Sequence, residues 1–96
     1  MKKTIDVTDD QQIQVFKALA DPVRLAVLKY LKHCEEPVSC GVVGKALGIS
    51  KTSGSYHFKL LEAAGLITAE KIAREKYVQL QPATFERYLT NFYDQL

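Results

Sequence analysis

The sequence predicts a mainly α-helical fold in the order α-α-α-α-β-β-α. Three observations carry this. Apolar residues recur at helical spacing in five segments. The third and fourth of these meet through a very short turn, Leu47-Gly48-Ile49-Ser50. After Gly65 the pattern changes to two stretches of β-type composition with partial alternation, Leu66 to Glu70 and Lys76 to Leu80.

Each element has its own start and stop. Thr8-Asp9-Asp10-Gln11 reads as a capping box, with Gln11 able to reach back to the cap. The first helix follows it, with Ile13, Phe16 and Ala20 at helical spacing beside Val15 and Leu19. Asp21-Pro22 opens the second helix: Asp is a good N-cap, and Pro lacks an N–H that would have had no partner there. Val23, Val27, Tyr30 and Leu31 form its apolar face, and it ends near Cys34, before Glu35-Glu36-Pro37.

Ser39 can cap a third helix that carries Val42, Val43, Ala46 and Leu47. Gly48 ends it, because glycine takes the left-handed conformation cheaply. Ile49 is expected to be buried in the turn. Ser50 caps a fourth helix running to about Ala64, with Phe58, Leu61 and Ala64 inward. The two strands form a hairpin joined by Lys71 to Glu75, and Pro82 opens one last helix. Its apolar residues Phe85, Tyr88, Leu89, Phe92, Tyr93 and Leu96 fall on a single stripe.

The bulk numbers narrow the function classes. A chain of 96 residues is expected to be one domain, residues 1–96. Hydrophobic residues make up 47% and charged residues 25%, an ordinary globular balance. The net charge of +2 is compatible with a nucleic-acid partner but does not argue for one, since placement matters more than the sum. No apolar run approaches the roughly 18 residues that span a bilayer. The start, Met1-Lys2-Lys3-Thr4-Ile5-Asp6, is basic without an apolar stretch behind it, so no signal peptide is expected. Two cysteines, Cys34 and Cys40, are too few for a secreted disulfide scaffold. The expectation is a cytoplasmic protein with no membrane partner. There is no glycine-rich phosphate loop, nucleophile elbow or dense carboxylate or histidine cluster, so neither an enzyme nor a cofactor is expected.

The functional signal lies between Val42 and Leu66. A helix entered through a short turn begins here with Ser50, Lys51, Thr52, Ser53, Ser55, Tyr56 and His57. A recognition helix needs this composition at its N-terminal end, where short donors and acceptors reach base edges and phosphates in the major groove. The positive end of the helix dipole favours nearby phosphates as well. Lys71, Arg74 and Lys76 cluster on the hairpin, where a projecting basic ribbon suits the minor groove or the flanking backbone. Each feature has a plainer counterpart: Ser50 can serve only as a cap, His57 can serve in packing, and a charged hairpin tip can be only a solvated turn. From Lys51 to Lys76 there are five Lys/Arg (51, 59, 71, 74, 76) against three Glu (62, 70, 75). That surplus is small, so affinity is expected to need two copies on one site.

These residues together resemble the ArsR/SmtB family of bacterial winged-helix repressors. Lys17 to Leu28, with Ala20-Asp21-Pro22-Val23-Arg24-Leu25, resembles the family's entry into its second helix. Ala46 to Ser50 and Ser55 to Leu66 resemble its helix-turn-helix, and Arg74 to Leu80 its wing. The likeness covers nearly the whole chain. It implies a winged helix-turn-helix homodimer joined through the first and last helices, which blocks transcription at a double-stranded, palindromic DNA operator until a signal releases it. Ile13, Phe16, Phe85, Leu89, Phe92, Tyr93 and Leu96 are then the interface candidates, and these two helices do carry more apolar residues than so small a domain can bury alone.

Two departures stand out. Gly54 occupies a position where the family usually has Val, at a cost of about 1 kcal/mol relative to Ala inside a helix. The common metal sites are also incomplete, so no metal is expected. Where metal-sensing members carry Cys-x-Cys, this chain reads Ser39-Cys40-Gly41-Val42, and the last helix holds Asp94 but no His. His33, Cys34 and Cys40 remain as a redox or metal candidate, against the plainer reading of small buried thiols and a helix-end charge. The competing functional class is a protein-docking module using the aromatic last helix, which would lack a positive face over the fourth helix and the wing.

Overall fold

The computed structural model describes residues 10–96, so Thr8 and Asp9 of the expected capping box lie outside the described residues. Helix α1 (Asp10–Leu19) turns Val15 and Ala18 inward and leaves Ile13 exposed. The Gln11 side chain bridges two other elements: its amide donates to the Ala64 carbonyl at 3.2 Å and its oxygen accepts from the Tyr88 hydroxyl at 3.3 Å.

Helix α2 (Pro22–Lys32) starts as its sequence dictates. Asp21 is extended, and its carboxylate accepts from the N–H groups of Val23 and Arg24 at 2.9 and 3.0 Å. These are two of the orphan donors at a helix start. The bond from the Arg24 N–H is the main reason the Asp21 carboxyl lies below its usual pKa.

The chain then makes an element that periodicity did not signal. Strand β1 (Val38–Ser39) pairs antiparallel with β3, Val38 opposite Val78 and Ser39 opposite Tyr77. Two residues are too few to show alternation, and the strand exists because β3 offers an edge. Ser39 also caps α3 (Cys40–Leu47), its hydroxyl accepting from the Val42 N–H at 3.2 Å. The hairpin strands β2 (Ile67–Ile72) and β3 (Glu75–Leu80) complete a sheet in the order β1-β3-β2. They run longer than expected, so the connection shrinks to Ala73-Arg74, with Ala73 at φ 58.

The last helix is not continuous. It divides into α5 (Pro82–Phe85), a π-helical turn over Glu86–Thr90, and α6 (Phe92–Gln95), with Asn91 out of helical geometry at ψ 40. The Thr90 hydroxyl donates to the Phe85 carbonyl, five residues back, at 3.3 Å. A wide turn shifts the later residues round the axis, so the expected single stripe splits. Tyr88 is buried, Phe85 and Leu89 pack partly on the core, and Tyr93 and Leu96 are each 85% exposed. Phe92 instead turns onto Phe16 of α1, edge to face with centroids 5.1 Å apart.

The core draws on every layer. Val15, Val27, Val43, Leu61, Leu66 and Val78 are each less than 2% exposed and come from α1, α2, α3, α4, the segment after it and β3. Among the described residues no helix is long and apolar enough to cross a membrane.

Candidate nucleic-acid interface

Helix α3 ends where Gly48 takes φ 69, ψ 33, a left-handed cap that directs the chain straight into the next helix. The Ile49 N–H returns to the Gly44 carbonyl at 2.8 Å, and Ile49 is half-buried rather than fully buried. Ser50 then caps α4 (Lys51–Ala63), its hydroxyl accepting from the Ser53 N–H at 3.2 Å. Its capping role is thus realised.

The faces of α4 follow the helical period. Gly54, His57, Phe58 and Leu61 point inward, while Lys51, Thr52, Ser55, Tyr56 and Lys59 are exposed, Tyr56 at 62%. Ser53 is half-buried between them. Lys59 was not picked out from the sequence, though it lies four residues beyond Ser55 on the same face. Lys45 of α3 was missed too. A groove of about 590 Å³ runs between α3, the start of α4 and the wing, and Lys45, Lys51, Ser55, Arg74 and Lys76 line it.

Three expectations need correction. His57 is 8% exposed and is not on the outer face. It falls three residues after Gly54 and four before Leu61, so the period places it inward. Its Nδ1 lies 3.1 Å from a guanidinium nitrogen of buried Arg24. Lys76 is half-buried and its ammonium is spent on the Glu62 carboxylate of α4. This pairing offsets the like charge of Lys71, its direct cross-strand neighbour. Lys71 and Arg74 remain exposed at the wing.

The third correction concerns the thiols. Among the described residues no three His, Cys, Asp or Glu side chains come together to hold a metal ion, so His33, Cys34 and Cys40 do not form a ligand set. The His33 ring bonds the Lys29 carbonyl at 2.9 Å, and the Cys34 thiol donates to the Tyr30 carbonyl at 3.5 Å. Both serve the end of α2. Cys40 lies at the start of α3, packed against the core, and burial pushes its thiol pKa up. A thiol held in that form is a poor nucleophile and a poor metal ligand.

Gly54, the other departure, is not forced by crowding. A Cβ there would stand 3.6 Å from Ile49 and 3.7 Å from Phe58, ordinary contact distances.

Comparison with known proteins agrees with this geometry. A helix-turn-helix domain family matches residues 19–70. An uncharacterized HTH-type transcriptional regulator of Bacillus subtilis, YceK, is 46% identical over 94 residues, which is 97% of this chain and 94% of that protein. The HTH-type transcriptional repressor SmtB of Mycobacterium tuberculosis is 36% identical over 67 residues, 70% of this chain and 48% of its own. In fold, the chain matches the homodimeric winged helix-turn-helix DNA-binding domain Mb0332 of Mycobacterium bovis. The TM-score is 0.73 at 24% identity, over 92% of this chain and 83% of that one. Nothing here favours the docking-module reading. With a short αL-capped turn, an outward polar face on α4 and a hairpin wing all in place, this chain belongs to the ArsR/SmtB family and is a DNA-binding winged helix-turn-helix transcriptional regulator.

Proposed function

We propose that the protein is a cytoplasmic, single-domain, homodimeric repressor that acts by binding and not by catalysis. The observation that carries this reading is the outward face of α4. Lys51, Thr52, Ser55 and Tyr56 stand exposed on its first turns, beside Lys71 and Arg74 of the wing. In this reading Ser50, Ser53 and the α4 N-terminus contact phosphate, the exposed side chains of α4 read the major groove, and the wing tip grips the backbone. Lys45 and Lys59 add phosphate contacts at the edges.

The dimer reading rests on apolar surface that the single chain leaves in water. Ile13 is 53% exposed and Tyr93 and Leu96 are 85% exposed, on α1, α6 and the residue that ends α6, the two helices joined by the Phe16–Phe92 pair. Phe85 and Leu89 contribute only their outer edges, since both also pack on their own core. A two-fold dimer of this kind calls for a palindromic operator with half-sites about 34 Å apart. Repression is the action for which the SmtB relative is named.

The test is a binding titration on the promoter region of the protein's own operon at several salt concentrations. The reading expects affinity that falls steeply with salt, two chains per duplex site, and a salt slope reduced by about one for Lys51→Ala. Absence of salt-sensitive, sequence-preferring binding at low salt would overturn it.

A further inference from the structure

The polar centre that buries Arg24 joins three helices. The guanidinium Nε donates to the Ala18 carbonyl at 2.8 Å and Nη2 to the Lys17 carbonyl at 3.3 Å. These are among the last carbonyls of α1, where the i+4 partners run out; that of Lys17 also accepts from the Ala20 N–H at 3.2 Å. The remaining branch, Nη1, stands 3.1 Å from His57 Nδ1 on α4. Arginine has no acceptor, so the imidazole must accept here, and its proton sits on Nε2. Asp21 Oδ2 is 3.8 Å from the same Nδ1, beyond hydrogen-bond reach, and is already engaged by the start of α2.

The place of His57 on α4 gives this bond its weight. Up to Phe58 only Gly54 and His57 face fully inward, and Gly54 has no side chain. The DNA-contacting end of the helix is therefore held by one directional anchor before the apolar packing of Phe58 and Leu61 begins. The His57 ring also meets the Tyr56 ring edge to face, centroids 5.3 Å apart.

We propose that Arg24 and His57 are positioning residues for DNA binding. The guanidinium ties the end of α1 to the imidazole of α4, and this bond fixes the rotation of α4 and the pose of Tyr56. The proposal rests on the DNA-binding reading of α4.

Two measurements on the full chain test it. The first is ring ¹⁵N NMR of His57 in the free protein, which is expected to show the Nε2–H form with Nδ1 as acceptor, and to lose that signature in Arg24→Met. A proton on Nδ1 overturns the proposal without any reference to DNA. The second is operator affinity, corrected for the folded fraction, of His57→Leu and His57→Asn. The Leu variant is expected to weaken binding about tenfold, the scale of one hydrogen bond to a charged group. The Asn variant, whose side-chain oxygen can replace Nδ1, is expected to restore most of it. Wild-type affinity in folded His57→Leu overturns the positioning role and leaves DNA binding intact. Failure of the wild type to bind overturns the DNA-binding reading instead. If His57→Leu does not fold, His57→Asn and the NMR signature decide.

Discussion

Replacing Gly54 by Ala should make this protein more stable. The position is buried in α4 between Ile49 and Phe58, and an added Cβ meets them at 3.6 and 3.7 Å, where contact is attractive. Removing a glycine from a helix interior is worth about 1 kcal/mol, largely because the unfolded chain loses freedom. Burying the added methyl contributes up to about 0.8 kcal/mol more. The expected gain is therefore about 1–2 kcal/mol, or a Tm rise of roughly 4–8 °C per kcal/mol for a domain of this size. The assay is urea unfolding at matched protein concentration, since a dimer's stability depends on concentration. The midpoint should rise with m unchanged. Operator affinity should stay at the wild-type level, because the methyl points away from the exposed face. A destabilised Gly54→Ala protein would refute the argument, and would mean that α4 packs more tightly on the turn than these distances show.

Two further outcomes are expected. Ala73 holds φ 58 in the two-residue wing turn, a conformation that costs an L-residue about 1 kcal/mol, so Ala73→Gly should raise the thermal midpoint without altering the fold. A fall in the midpoint would contradict the turn geometry. The Asp21 carboxyl, held below its usual pKa chiefly by the Arg24 N–H, contributes stability that is present above the unfolded carboxylate pKa of about 3.9 and is lost as pH falls through the folded value. Asp21→Asn keeps the cap but cannot titrate. The stability difference between wild type and this variant should therefore vanish in acid, and a difference that is constant with pH would argue against the cap as its source.

Much of the fold is legible locally. Asp21-Pro22, Ser39 and Ser50 each start a helix by offering an oxygen to an orphan N–H, and each is seen doing so. Gly48 stops α3 because it needs no Cβ in the left-handed region. The outer face of α4 follows from its period, and the same period assigns His57 to the interior once it is counted from Leu61. The short turn and the polar helix start pointed to a DNA-binding helix, and together with Lys17 to Leu28 and the wing they carried the family resemblance.

What the chain's own residues could not announce depends on partners distant in sequence. Strand β1 exists only because β3 provides a free edge, 40 residues later at Val78 opposite Val38. The last helix has an unbroken apolar period, yet it opens at Glu86–Thr90 because Tyr88 is drawn into the core while Phe92 meets Phe16. Lys76 looks like a free wing cation until Glu62 of α4 is folded beside it. Arg24 looks like one more surface charge on an amphipathic helix. It is buried because the end of α1 offers carbonyls to its guanidinium and α4 brings an imidazole within reach. Local propensity sets helices, caps and turns, since those involve neighbours a few residues apart. Charge pairing, strand edges and buried polar bonds are settled only when distant segments share the same space.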